Sequence, residues 1–314
     1  VNFPRRVQTV RITLPTQNVA ETPASVRVAT AALGNVPAIV PPTGNLSIGK
    51  PDYSALAGKP LRYLIGTDAA AKAAPDGYTL LVSDASIATA PSLYKAMTFD
   101  PVKDLTAVSW FVTVPHVIVV NPNSQIQTLN DLIALAKKDP EKLYFSSGGI
   151  GSPLHLAGEA VRTSTGMKWV HVPYKGGGPA ILAVMSGDAQ VAVPSLPSVL
   201  PQIEGGKLRA LAVTSPSRVK TLPNVASVAE LGYPNATAMG WIGLHAPTGT
   251  PPEIIRKIEA ASGEILKDPM LRNRLTEQGG DIVSDSTAPA YSAFVSAQTQ
   301  GWEKIVKAAD IKAE

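Results

Sequence analysis

The chain has 314 residues, 45% of them hydrophobic and 17% charged, with a net charge of +4. That length supports two domains with a sizeable core, and the thin charge, with no Lys/Arg block, gives nucleic acid nothing to hold. No run approaches the roughly 18 apolar residues that span a bilayer, and the absence of cysteine removes disulfides, thiol catalysis and thiolate metal sites while suiting a bacterial periplasm.

The chain starts at Val1 with no basic segment followed by an apolar one, so an exported protein that has lost its signal peptide is expected. Pro41, Pro42, Pro51 and Pro60 punctuate the first 63 residues. From about residue 64 the pattern is regular. Tyr78–Val82 reads as a strand behind a Pro75-Asp76-Gly77 turn. Val117-Ile118-Val119-Val120 is a continuous apolar strand of the kind covered by helices on both faces. Thr128 caps a helix that runs to Lys138 with Leu129, Leu132, Ile133 and Leu135 as its apolar stripe, and Lys142–Phe145 is the next strand. Strand, helix and strand with such short links predict a parallel βαβ unit.

Further strands are expected at Val170–Tyr174, Gln190–Val193 and Leu208–Thr214, with a helix through Ile181–Met185 that ends near Gly187. Helices starting at Pro252 and Pro269 and a last helix through Trp302 complete an α/β chain.

Three segments rich in Gly and Ser lead from these strands into helices: Ser83-Asp84-Ala85-Ser86, then Ser146 to Pro153, then Lys175-Gly176-Gly177-Gly178-Pro179. Unpaired N–H groups at a helix start carry the positive end of its dipole, and small residues let a carboxylate or phosphate reach them. Each segment is therefore either part of an anion cradle or an ordinary turn and cap. In open α/β sheets a ligand lies at the carboxyl ends of the strands, where all three segments fall. In the second, Ser147, Gly148, Gly149, Gly151 and Ser152 are candidate contacts, with Ser152 as helix cap and Pro153 at the first helical position. His155 reads three ways: ligand donor, catalytic base, or buried ring bonded to backbone. Lys175 is either a partner for a bound anion or a solvated loop residue.

Enzyme motifs are missing. Asn45-Leu46-Ser47-Ile48-Gly49 lacks the first glycine of a nucleophile elbow, and Leu154 stands where a dinucleotide fingerprint through Gly149 and Gly151 needs glycine. His116, His155, His171 and His245 are too dispersed to read as a metal site, so neither metal nor cofactor is expected.

Ile65-Gly66-Thr67-Asp68-Ala69-Ala70-Ala71-Lys72-Ala73-Ala74-Pro75-Asp76-Gly77-Tyr78-Thr79-Leu80-Leu81, His171-Val172-Pro173-Tyr174-Lys175-Gly176, Gly206–Ser215 and Ala246–Pro251 resemble the Bug family, the TctC-like periplasmic receptors of tripartite tricarboxylate transporters. The resemblance runs from about residue 64 to 314. It implies two α/β domains joined by crossover strands, a ligand clamped between them, and delivery of carboxylated solutes to membrane subunits by a monomer that is no enzyme. It puts domain 1 at residues 1–109 plus 236–314 and domain 2 at 110–235, with Trp110 and Trp241 at the crossovers, either lining the cleft or packing the hinge.

Two departures stand out. The resemblance implies a first strand, matched by residues 10–15 (Val10 to Pro15), but the loop Thr16 to Thr22 after it lacks the family's glycine pair, though Thr16, Gln17 and Asn18 remain the expected first-lobe contacts. Pro194 replaces an acidic residue before the turn that holds Ser195, itself an expected contact. A proline side chain cannot accept from a ligand ammonium as a carboxylate would, which favours a plain dicarboxylate or aromatic carboxylate. The competing readings are an α/β hydrolase or transferase acting on a small anion, and the ligand-sensing domain of a regulator.

Overall fold

The computed structural model describes residues 27–30 (as backbone), 65–94, 97–284 and 286–311. The expected strand over Val10–Pro15, the contacts Thr16, Gln17 and Asn18, and the segment Asn45–Gly49 lie outside the described residues. In chain order the elements begin β1 (Arg27–Thr30), α1 (Ile65–Ala71), β2 (Thr79–Asp84), α2 (Ser86–Leu93), β3 (Leu105–Pro115), β4 (Val117–Val120), α3 (Leu129–Lys138), β5 (Tyr144–Ser147) and α4 (Pro153–Thr165). They continue β6 (Val170–Pro173), α5 (Gly177–Ser186), β7 (Val191–Ala192), α6 (Leu196–Glu204), β8 (Arg209–Val213), β9 (Met239–Pro247), α7 (Pro252–Leu266), α8 (Pro269–Glu277), β10 (Asp281–Ile282) and α9 (Ala288–Ala308).

Two sheets result. The first has the order β1-β2-β9-β3-β10 and the second β6-β5-β7-β4-β8. In the second sheet β5 runs parallel to β6 and β7, while β4 runs antiparallel to both β7 and β8. The expected parallel unit of Val117–Val120, helix and Lys142–Phe145 is therefore corrected. β7 lies between β4 and β5, and β4 points the other way because it enters the sheet straight from β3. The βαβ pattern holds one unit later, at β5, α4 and β6.

Both faces of the second sheet are covered, which is why β4 is apolar throughout. Ile118 and Val120 pack with Leu132 of α3, Leu156 of α4 and Phe145, whereas Val117 and Val119 pack with Ile181, Val184, Leu196 and Val199 of α5 and α6. All four β4 side chains are fully buried, each contributing on the order of 1.5–3 kcal/mol. α3 is fixed at its start by a capping box between Thr128 and Asp131 and at its end by Lys137 and Lys138. Gly158 lets α4 sit directly on Phe145, since a Cβ there would run into the ring.

α9 ties the two halves together. It packs against β3 and α2 on one side and α4 on the other, burying Tyr291, Val295, Trp302 and Val306. Phe294 stacks on Trp110 with ring centroids 3.7 Å apart and meets Trp241 edge-on at 5.7 Å. Trp110 sits within β3 opposite Gly243, and Trp241 within β9 opposite Thr113. Both tryptophans thus pack the first sheet and α9, and the chain changes sheet beyond Trp110, at His116.

Candidate functional site

The strand directions decide which loops meet. Asp84 pairs with Ile242 and Pro115 with Met239, so the ends of β2 and β3 and the start of β9 share one rim of the first sheet. In the second sheet the ends of β5, β6 and β7 lie beside the start of β4, where the Val117 amide donates to the Pro194 carbonyl at 2.9 Å. Because β3 continues into β4 through His116, these two rims face each other.

The passages between sheets are clasped together. The Thr214 hydroxyl donates to the Ala238 carbonyl at 2.6 Å and accepts from the His116 amide at 2.9 Å, while the Thr214 amide donates to the His116 carbonyl at 2.9 Å. His116 Nδ1 lies 3.2 Å from the Ala238 carbonyl, and burial holds this imidazole down at about 4.

On the first rim, Ser83 is spent inside the fold. Its hydroxyl lies 2.8 Å from His245 Nδ1 and 3.4 Å from the Tyr291 hydroxyl, at 1% exposure, so the expected ligand contact through this side chain is replaced by a structural one. Burial pushes His245 down to about 3 and raises the Tyr291 hydroxyl well above its usual value. The pair has no exposed nucleophile. Asp84 Oδ1 accepts from the Ser86 amide at 2.9 Å, turning the chain into α2 behind Ala85, and burial pushes its carboxyl up. Beyond Ser86, the Ile87 amide has no partner among the described residues.

The second segment is wired internally. Gly149 donates to the Ser147 hydroxyl at 3.1 Å, Gly151 donates to His155 Nδ1 at 3.1 Å, and the Ser152 amide donates to the Gly149 carbonyl at 3.1 Å. Ser152 caps α4 by accepting from the His155 amide. The amides of Gly149 and Gly151, expected to face an anion, therefore point into the protein. Those of Gly148, Ile150 and Leu154 have no partner among the described residues. His155 proves to be the buried ring bonded to backbone, at 5% exposure and held down at about 3, first by burial and then by His171 and Arg162.

The third segment lies against the second. A Cβ on Gly148 would sit 3.2 Å from the backbone of Gly176 and of Gly177, a tight contact that any larger residue could keep only by pushing the two segments apart. Gly176 opens α5 without a side-chain cap, and the Gly177 and Gly178 amides have no partner among the described residues. Lys175 is exposed and forms no ion pair among the described residues. Ser195 opens α6 at the same rim, but its hydroxyl donates to Ser198.

α2 links the rims, since a Cβ on Gly151 would lie 2.9 Å from Leu93, the last residue of that helix. Beside the second segment, an open cavity of about 480 Å³ is lined by Ile150, His155, Trp169 and His171, with Ile311 beyond α9 at its wall. His171 and Thr214 stand in the sequence only within longer motifs that give neither a role, because strand register and the path between sheets bring them to these positions.

The family described as "Tripartite tricarboxylate transporter family receptor" matches residues 57–311. Protein BugT of Bordetella pertussis is 37% identical over 246 residues, 78% of this chain and 75% of that protein. The solved periplasmic binding protein BugD is 31% identical at a TM-score of 0.71, covering 79% of this chain and 83% of that one. R. palustris Rpa4515, solved with adipate, is 30% identical at a TM-score of 0.73, covering 80% and 84%.

Proposed function

This chain belongs to the tripartite tricarboxylate transporter receptor family, whose members are solute-binding proteins and not enzymes, and we propose that it captures a small carboxylate between its two sheets and passes it to the membrane subunits of such a transporter. One observation carries this reading. The amides of Ile87 on one rim and of Gly148, Ile150, Leu154, Gly177 and Gly178 on the other have no partner among the described residues, and all stand at or just before helix starts. Preorganised N–H groups of this kind stabilise an anion without a fixed counter-charge.

In this reading each sheet with its helices is one lobe, and His116, Thr214 and Ala238 form the hinge. A ligand touching both rims gains its full contacts only when the lobes close, so it shifts the open and closed populations by its differential affinity. Adipate on a relative supports a linear dicarboxylate. Pro194, whose side chain carries no acceptor and whose carbonyl already accepts from the Val117 amide, argues against an amino acid. The periplasm is the compartment that fits a chain without cysteine and a relative described as periplasmic.

A thermal-shift screen over C4 to C8 diacids, citrate, aromatic acids and acidic amino acids tests the proposal. A ligand at about 100 times its Kd adds roughly 2.7 kcal/mol of stability, well within reach of the assay. A diacid should give the largest shift. Silence across the whole carboxylate panel would overturn the reading.

A further inference from the structure

We infer that His155 and His171 are positioning residues for the second segment, holding alternate peptide units inward so that the amides between them face the ligand. This deepens the carboxylate reading and rests on it for its functional consequence. The amides of Gly149 and Gly151 are tied inward while those of Gly148 and Ile150 are not. Both tied amides belong to glycines at positive φ, +118° and +73°, a backbone turn that only glycine makes without strain.

What ties them is the histidine pair. Gly151 is held directly by His155 Nδ1. Gly149 is held by the Ser147 hydroxyl, which His171 Nε2 fixes at 2.6 Å. The two imidazoles stack with centroids 4.0 Å apart, and Phe145 and Trp169 extend the column at 5.5 Å and 4.6 Å. Ring orientation is thereby set by the core, and the loop takes its conformation from the rings. The arrangement needs an unprotonated acceptor at His155 Nδ1, and burial keeps both rings neutral, at about 3 for His155 and about 4 for His171. A ring kept for packing alone would have no reason to end on a loop amide.

The test uses the whole chain in two arms. The first is amide hydrogen exchange followed by NMR without ligand. Gly151 should be protected in the wild type, lose protection in His155→Leu and regain it in His155→Asn, whose Oδ1 reaches where Nδ1 did. Gly149 should respond in the same way to His171→Leu and His171→Gln. Amides deeper in α4, such as those of Ala157 and Val161, should not change. The second arm is calorimetric titration with adipate, where each leucine variant should bind about tenfold more weakly, a loss of about 1.4 kcal/mol, and each amide variant should recover most of it. Wild-type exchange rates at Gly149 and Gly151 in the leucine variants would overturn the inference. So would exchange rising along all of α4, which would mark a merely structural role. If the wild type ignores adipate and every other carboxylate, the functional reading fails while the exchange arm still decides the role of the histidines.

Discussion

Gly149 shows how one residue can fix the conformation of a loop. Its φ of +118° is costly for any side chain, and its amide and carbonyl are both bonded within the loop. Replacing it by valine should distort Ser147 to Ser152 while α4 and β5 stay folded, so calorimetry should find binding lost and circular dichroism should find the helix content kept. Unchanged affinity would move the site elsewhere. Lys175 permits a second prediction at this scale. It is exposed and without an ion pair among the described residues, and an exposed charge acts only within about 8 Å at physiological salt. Raising salt from low to roughly half-molar should therefore weaken binding only severalfold, and Lys175→Ala should do no more. A hundredfold loss would make the lysine the anchor and the amides secondary. That Gly- and Ser-rich segments precede the helices was legible in the sequence, but the same residues serve as ordinary turns and caps, as Ser152 does for α4. The direction of each N–H was not legible, since it depends on glycine dihedrals and on a histidine delivered by a different strand.

Elements with their own local instructions match the pattern reading. α3 carries its capping box and basic end, and α5 ends at Gly187 in the left-handed conformation, so both could be read without knowing the rest. β4 could not be placed, because its four apolar residues announce burial on two faces but say nothing of direction or neighbours. Its direction comes from β3 across His116, and that junction leads to the next prediction. Thr214 is fully buried, and its hydroxyl joins His116 to Ala238. Thr214→Val keeps the shape and removes the donor and acceptor, leaving the His116 amide without its acceptor and the Ala238 carbonyl with His116 Nδ1 alone, at a cost of about 1–3 kcal/mol. A melting curve should show a loss of several degrees, and adipate affinity should change too if the clasp sets the balance of open and closed forms. A variant as stable as the wild type would mean that the two passages hold each other without it.

At the scale of the whole molecule, the four histidines are spread over the first sheet, the passage between sheets and the second sheet, and burial holds all of them neutral. The values are about 4 for His116 and His171 and about 3 for His155 and His245, against 6.5 for an exposed imidazole. Below pH 6.5 the unfolded chain takes up protons that the folded chain refuses, so stability must fall with pH down to about 4. Each fully buried ring contributes a loss on the order of 2 kcal/mol by pH 5, and half-buried His171 contributes less. Asp131 is held below its usual value by hydrogen bonds, and Asp100, Glu230 and Glu303 by hydrogen bonds together with a nearby lysine or arginine, so they add to the loss only as the pH falls past the ordinary carboxylate range. Asp84, pushed up by burial, opposes it. The melting temperature should therefore drop by roughly 5–10 °C between pH 7.5 and pH 5, and His245→Gln, which removes one titrating ring, should flatten the slope. A melting temperature that stays level or rises over this range would mean that water reaches these rings and that the core joining the two lobes is more open than the packing of α9 implies.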